Sequence, residues 1–220
     1  MMAVVLLGAP GAGKGTQAPL LAERLGIPVV ATGDLFRAAV REGAPVGLEA
    51  RRYMDAGRLV PDEITIRLLR DRLARPDAAR GVILDGFPRT RAQAEALDRT
   101  LAEAGSRVDR ALLIDVPTED LIQRMAGRRI CEANGHPFNL VTNPPRVPGR
   151  CDLDGSALIQ REDDKEVTVR ARMAQQLPPL EDVVDHYRSR GVLASVDGRQ
   201  SILSVSDALV RALDHQGRAA

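Results

Sequence analysis

Five short apolar runs punctuate the chain, at Ala3 to Leu7, Ile27 to Val30, Gly81 to Leu84, Arg110 to Val116 and Leu193 to Val196. Between them apolar positions recur with the three-to-four-residue spacing of helices that bury one face. Val82-Ile83-Leu84 and Ala111-Leu112-Leu113-Ile114 are continuous rather than alternating. Such runs predict strands covered on both faces, hence a parallel sheet sandwiched by helices. In that architecture ligands gather at the carboxyl ends of the strands.

Punctuation refines the elements. The first helix is predicted to end near Leu25 with Gly26 as its cap, and Pro19 inside it to bend or loosen the turn near Gly15. Thr32 or Asp34 is expected to cap a helix reaching Glu42, a second helix follows Pro45 to about Gly57, and Pro61-Asp62-Glu63 opens a third. Residues 31–60 therefore read as a small helical insertion between sheet strands. Thr118 is expected to cap the helix after the fourth strand. From Ile130 to Ile159 helical periodicity gives way to cysteine, glycine and proline, which predicts a small β-rich knuckle too long to be a structureless loop. Helicity is predicted to resume after Arg161, break at Pro178-Pro179 and continue to about Arg190. A last helix begins near Ser204 or Ser206.

Composition narrows the function classes. At 220 residues and 44% hydrophobic content, one domain with insertions fits better than two independent ones. No window approaches the roughly 20 apolar residues of a membrane span, so a soluble, cytoplasmic protein with no membrane partner is expected. A net charge of +1 and 2% aromatic content supply neither the field nor the stacking platforms of a nucleic-acid binder. Only Lys14 and Lys165 are lysines among 31 basic residues, so an anion site beyond Lys14 must be built of arginine. Cys131 and Cys151 share one local segment, a pattern of metal binding or burial before disulfide formation in a reducing compartment.

The chemistry starts in Gly8-Ala9-Pro10-Gly11-Ala12-Gly13-Lys14-Gly15-Thr16, directly after the first strand. Backbone N–H groups of such a loop, the positive end of the next helix and a lysine together cradle phosphates. The hydroxyl stands one place later than in G-x-x-x-x-G-K-[ST], because Gly15 intervenes. Asp85, at the carboxyl end of the third strand, is a candidate magnesium partner. Arg124, Arg128 and Arg129 near a helix end fit either dipole partners or phosphate ligands.

These stretches occur in order with Thr32-Gly33-Asp34, Asp85-Gly86-Phe87-Pro88-Arg89 and Gly127-Arg128-Arg129, and together the chain resembles a bacterial adenylate kinase of the long-lid type. The resemblance implies a P-loop α/β fold with a five-stranded parallel sheet flanked by helices. It implies a core of residues 1–30, 61–126 and 165–220, a nucleoside-monophosphate-binding segment at 31–60 and a lid at 127–164. The family's reaction is MgATP plus AMP giving two ADP. By resemblance, Gly11, Ala12, Gly13, Lys14, Gly15 and Thr16 hold the ATP phosphates and Arg124 and Arg128 close on them. Pro137, Phe138 and Gln200 meet the ATP base or ribose. Thr32, Arg37, Arg58, Leu59, Val60, Gly86, Phe87, Pro88, Arg89 and Gln93 match the AMP site, with Arg161 and Arg172 adding charge. Lys14, Arg89, Arg124, Arg161 and Arg172 are the implied catalytic set, and Asp85 holds magnesium through water.

Family spacing places lid ligands at Cys131, Asn134, Cys151 and Asp154, and an amide is a poor zinc ligand. His136 offers a replacement nitrogen, so the lid is expected either to hold structural zinc through Cys131, His136, Cys151 and Asp154 or to be metal-free. A monomer acting on ATP, AMP and ADP is expected. A UMP/CMP-type kinase is the alternative enzyme, disfavoured by Gln93 and the long lid. A nucleotide-driven switch without phosphoryl transfer leaves the arginines at both phosphate sites unexplained.

Overall fold

The computed structural model describes the backbone of residues 1–164 and 166–214, and the side chains of all of these but 163, 166, 167 and 214. Lys165 and the end of the expected core segment, 215–220, lie outside the described residues. The elements alternate as the apolar runs require. They are β1 (Met2–Leu7), α1 (Lys14–Leu25), β2 (Val29–Ala31), α2 (Thr32–Arg41), α3 (Pro45–Asp55), α4 (Asp62–Leu73), β3 (Gly81–Asp85), α5 (Arg91–Glu103), β4 (Arg110–Asp115) and α6 (Thr118–Gly127). There follow β5 (Arg128–Cys131), β6 (Pro137–Asn139), β7 (Leu158–Ile159), α7 (Glu166–Ser189), β8 (Leu193–Asp197) and α8 (Ile202–Asp214).

Five strands form a parallel sheet in the order β2-β3-β1-β4-β8. With β1 in the centre, the loop that follows it opens in the middle of the sheet's carboxyl edge. One apolar cluster packs Leu6, Ile83, Leu112 and Ile114 under α1 and α8, and another packs Val5, Leu84, Leu97 and Tyr187 on the opposite face under α5 and α7. The uninterrupted hydrophobicity of these strands has this cause: both faces are covered.

Two parts carry small clusters of their own. In 31–60 and just beyond, Phe36, Ala50, Val60 and Ile64 pack together. In the knuckle, β5 pairs antiparallel with β6 and β7, and Cys131, Phe138 and Cys151 form its core.

Four boundaries differ from expectation. Helix α7 runs unbroken through Pro178 and Pro179. The carbonyls that those prolines leave without a donor belong to Ala174 and Gln175, both exposed, so water can take them, while Met173, Val183, Val184 and Tyr187 bury the other side. Helix α1 runs through Pro19 to Leu25 as expected, and the carbonyl that Pro19 leaves without a donor is that of exposed Gly15. Thr118 and Thr32 are the first helical residues rather than caps; Pro117 and Ala31 precede them, and no side chain caps either helix. Helix α8 starts at Ile202, earlier than expected, because Ser201 Oγ accepts from Ser204 N at 3.2 Å. Gly26 ends α1 as expected, at φ 64° with its N–H on Ala22 O.

Candidate active site

A cleft of about 580 Å³ opens at the carboxyl edge of the sheet, between the core, the 31–60 segment and the knuckle. Gly11 to Thr16 form its floor. Gly13 precedes α1 at φ 100°, and no side chain caps the helix, which leaves its first N–H groups for an anion. Lys14 Nζ donates to Gly8 O at 2.6 Å and Ala9 O at 3.1 Å, folded back over the loop. Burial pulls its pKa down to about 8, with Arg89, Arg172 and Arg128 pushing the same way against the attraction of Asp85.

Asp85 ends β3 beside this loop. Burial raises its pKa, and Lys14 and Arg89 oppose the rise. A Cβ on Gly15 would stand 3.8 Å from Asp85 Oδ2, an ordinary contact, which places the extra glycine of the motif directly opposite the carboxylate. Gly86 follows at φ 74°, where a Cβ would meet an Arg89 nitrogen at 2.8 Å and Thr32 Oγ1 at 3.2 Å; only glycine fits.

The turn after β3 is tied to three elements. Gly86 O accepts from Thr32 Oγ1 at 2.8 Å and from Arg89 Nε at 2.8 Å. Arg89 Nη1 donates to Gln176 Oε1 at 3.2 Å, and Gln176 Nε2 donates to Gly57 O at 2.9 Å, linking α7 to the segment that carries Arg58, Leu59 and Val60. Arg37 Nη2 donates to Asp34 Oδ1 at 2.6 Å, and Arg161 reaches the same oxygen at 3.9 Å. Asp164 is fully buried and accepts from Arg128 Nε at 2.6 Å and Arg172 Nη1 at 3.4 Å.

Of the residues expected at the site, all those of the ATP set, Gly11 to Thr16, Arg124, Arg128, Pro137, Phe138 and Gln200, border this one cleft. So do Asp85, Thr32, Arg37, Arg58, Leu59, Val60, Gly86, Arg89, Gln93, Arg161 and Arg172. Two do not. Phe87 points into the core at 1% exposure, and Pro88, joined to it by a cis peptide bond, borders a smaller pocket behind Lys14. Phe138 reaches the cleft but packs most of its ring against the knuckle's cysteines. Gln176, Asn139, whose Nδ2 donates to Arg124 O at 2.8 Å, and Asp164 arrange groups around the cleft and carry no motif of their own. An isolated glutamine or asparagine carries no pattern, and Asp164 was legible only as part of an acidic run.

In the knuckle Cys131, His136, Cys151 and Asp154 bring one ligand atom each to within 4.8 Å of one another. His136 Nδ1 lies 3.3 Å from Cys151 Sγ and 3.3 Å from Asp154 Oδ2. Asn134 is not turned toward the thiols as a ligand; its Nδ2 donates to Asp154 Oδ2 at 2.8 Å. That bond and those from Ser156 hold the Asp154 carboxyl well below the usual carboxylate range. The residue that the family spacing puts in a ligand position is thus a support, and the histidine two places on takes the inner position.

The sequence profile of the family described as Adenylate kinase matches residues 6–192. An adenylate kinase of Moorella thermoacetica is 50% identical over 212 residues, which cover 96% of this chain and 98% of the relative. An adenylate kinase of Clostridium botulinum is 49% identical over 201 residues, 91% and 93% of the two chains, and one of Staphylococcus aureus is 45% identical over 214 residues, 97% and 100%. A glycine-rich loop and several arginines lining one cleft, with this similarity over nearly the whole length, place the chain in the adenylate kinase family.

Proposed function

We propose that the cleft transfers the γ-phosphoryl group of ATP to AMP, giving two ADP, with the loop Gly11 to Thr16 and Arg124 and Arg128 on the donor and Arg37, Arg89, Arg161 and Arg172 on the acceptor. The observation that carries this reading is a single cleft lined by the loop Gly11 to Thr16 and by Arg37, Arg89, Arg124, Arg128, Arg161 and Arg172. An oxygen of the AMP phosphate bonds to the γ-phosphorus as the bond from the γ-phosphorus to the β–γ bridging oxygen breaks, and ADP leaves. Little covalent work falls to the protein. Alignment and positive charge spread around the migrating group supply the acceleration, and planar guanidinium forks hold phosphate oxygens in fixed directions. Lys14, free of its two carbonyls once phosphate arrives, follows the transferring group.

Asp85 fits a magnesium partner. It is a carboxylate at the end of a sheet strand, beside the loop and under the influence of Lys14 and Arg89, suited to holding the ion through water. When bound, the ion neutralises charge on the β- and γ-phosphate oxygens. Thr32 anchors the start of the acceptor segment, the backbone at Arg58 to Val60 borders the AMP base, and Gln93 offers it a donor and an acceptor. That pairing favours AMP over UMP and CMP. Pro137, Phe138 and Gln200 border the ATP base and ribose through contacts with little selectivity. The working division is core, acceptor segment 31–60 and lid 127–164.

Chromatography after incubation with MgATP and AMP is the deciding experiment. ADP is expected only when both are present, and UMP or CMP in place of AMP is expected to give little product. ADP formed equally well from ATP alone, or faster transfer to UMP, would overturn the reading.

The lid cluster fits tetrahedral zinc: two thiols, an imidazole and a carboxylate converge, with backbone turns at Gly135 and Gly155 closing on Cys131 and Cys151. Its role would be structural, replacing a larger apolar core in a small sheet. Protein purified without added metal is expected to carry about one equivalent of zinc by elemental analysis. Cys151→Ser is expected to lose the metal and to lower the melting temperature. Metal far below one equivalent would leave the lid held by its hydrogen bonds alone.

A further inference from the structure

Gln93 borders the cleft although it is only 1% exposed, and both ends of its carboxamide are engaged from behind. Oε1 accepts from the Arg89 N–H at 2.8 Å, and Nε2 donates to Asp62 Oδ1 at 2.8 Å. Asp62, in the first turn of α4, also accepts from Thr90 Oγ1 at 2.8 Å through its second oxygen. Thr90 in turn caps α5 by accepting from Gln93 N at 3.2 Å. A backbone N–H can only donate and a carboxylate can only accept. Turning the amide over would set oxygen against carboxylate oxygen and NH₂ against N–H. The amide therefore has a single orientation, and each end keeps one direction unused: the second N–H and the second lone pair.

We propose that Asp62 is a specificity-determining positioning residue, which fixes the orientation of the Gln93 amide and so makes the acceptor site choose a 6-aminopurine monophosphate over a 6-oxopurine one. This rests on the reading that Gln93 meets the acceptor base. A 6-aminopurine presents a donor on the exocyclic nitrogen and an acceptor at N1; a 6-oxopurine presents an acceptor on the exocyclic oxygen and a donor at N1. An amide free to turn over would pair with either. One held by Asp62 and the Arg89 N–H pairs with the first and meets the second donor to donor and acceptor to acceptor, an unpaired state that buried sites reject strongly. Asp62 touches no substrate in this account. It acts through Gln93, across the junction of two helix starts.

Asp62→Asn tests it, because an asparagine is nearly the same shape and can present either oxygen or NH₂ to Gln93. The ratio of kcat/KM for AMP to that for IMP is expected to fall on the order of tenfold or more, with KM for MgATP unchanged. In a Gln93→Leu background the same substitution is expected to leave the ratio where Gln93→Leu put it. Thr90→Val, which removes the other bond to Asp62 and the cap, is expected to lower the melting temperature without moving the ratio. If the asparagine variant does not fold, Asp62→Ser carries the same comparison. An AMP:IMP ratio intact in Asp62→Asn, or shifted equally with and without Gln93, would make Asp62 a helix staple only. Should Gln93→Leu itself leave KM for AMP unaltered, the failure lies one step earlier, in the reading of Gln93, and the role of Asp62 falls with it.

Discussion

Lys14 shows how one residue is set up for its ligand before the ligand arrives. Its ammonium is desolvated among arginines, so its pKa falls from 10.5 to about 8, although it rests on two carbonyls that favour the charged form. The sign of the consequence follows from which state holds the proton. Between about pH 8 and 10.5 the unfolded chain keeps a proton on this lysine that the folded chain has lost, so this group makes the free protein more stable as pH rises through that window. ATP phosphates reverse the balance by favouring the charged form, and binding above about pH 8 must then take up a proton. Affinity for MgATP is expected to fall as pH rises past this point, by up to about tenfold per pH unit. Calorimetry in two buffers of different ionisation enthalpy at about pH 9 should show the uptake, and Lys14→Met should abolish it. An uptake that survives in Lys14→Met would assign the proton to another group.

At the scale of elements, α7 is the informative case. Proline in a helix interior costs roughly 3 kcal/mol relative to alanine, yet α7 carries two in succession. The cost is tolerated because the bereaved carbonyls face water and because the helix buries Met173, Val183, Val184 and Tyr187 while delivering Arg172 and Gln176 to the cleft. Pro178→Ala is therefore expected to raise stability by about 1–3 kcal/mol in urea denaturation, with the helix otherwise unchanged. No gain would mean that the prolines set the shape that α7 needs. The same element marks the limit of what the sequence discloses. Strands β1, β3 and β4 are legible because burial on both faces writes an unbroken apolar run, and the loop before α1 because phosphate binding needs several glycines and a lysine at fixed spacing. The continuity of α7 was not legible, since local propensity says break and only tertiary packing says continue. Thr32 was misread for a related reason: its hydroxyl serves Gly86 O across the sheet edge instead of its own helix. Gln176 carries no local signature and Asp62 only that of a helix start, because the rest of their meaning lies in partners 87 and 31 positions away.

At the scale of the whole molecule, polar contacts join the parts that meet over the cleft, the buried Asp164 with Arg128 and Arg172 among them. Arg161, on the lid side, approaches Asp34 of the acceptor segment at 3.9 Å, and Gln176 ties α7 to Gly57. Exposed Leu140, Val141, Val147 and Leu153 leave the knuckle with little apolar anchorage to the core. The lid proposed for 127–164 has a chemical reason to move as a unit. A γ-phosphoryl group aligned for attack is equally open to water, so the cationic site must assemble only when both nucleotides are in place. For this chain, rapid mixing with saturating MgATP and AMP followed by acid quench is expected to show a burst of ADP, a sizeable fraction of one transfer per site, before the slower steady state. The steady rate should fall with added viscogen while the burst rate does not. A linear time course from the first milliseconds would place the slow step in the transfer itself, and the arginine cage, not the lid, would then be what limits the enzyme.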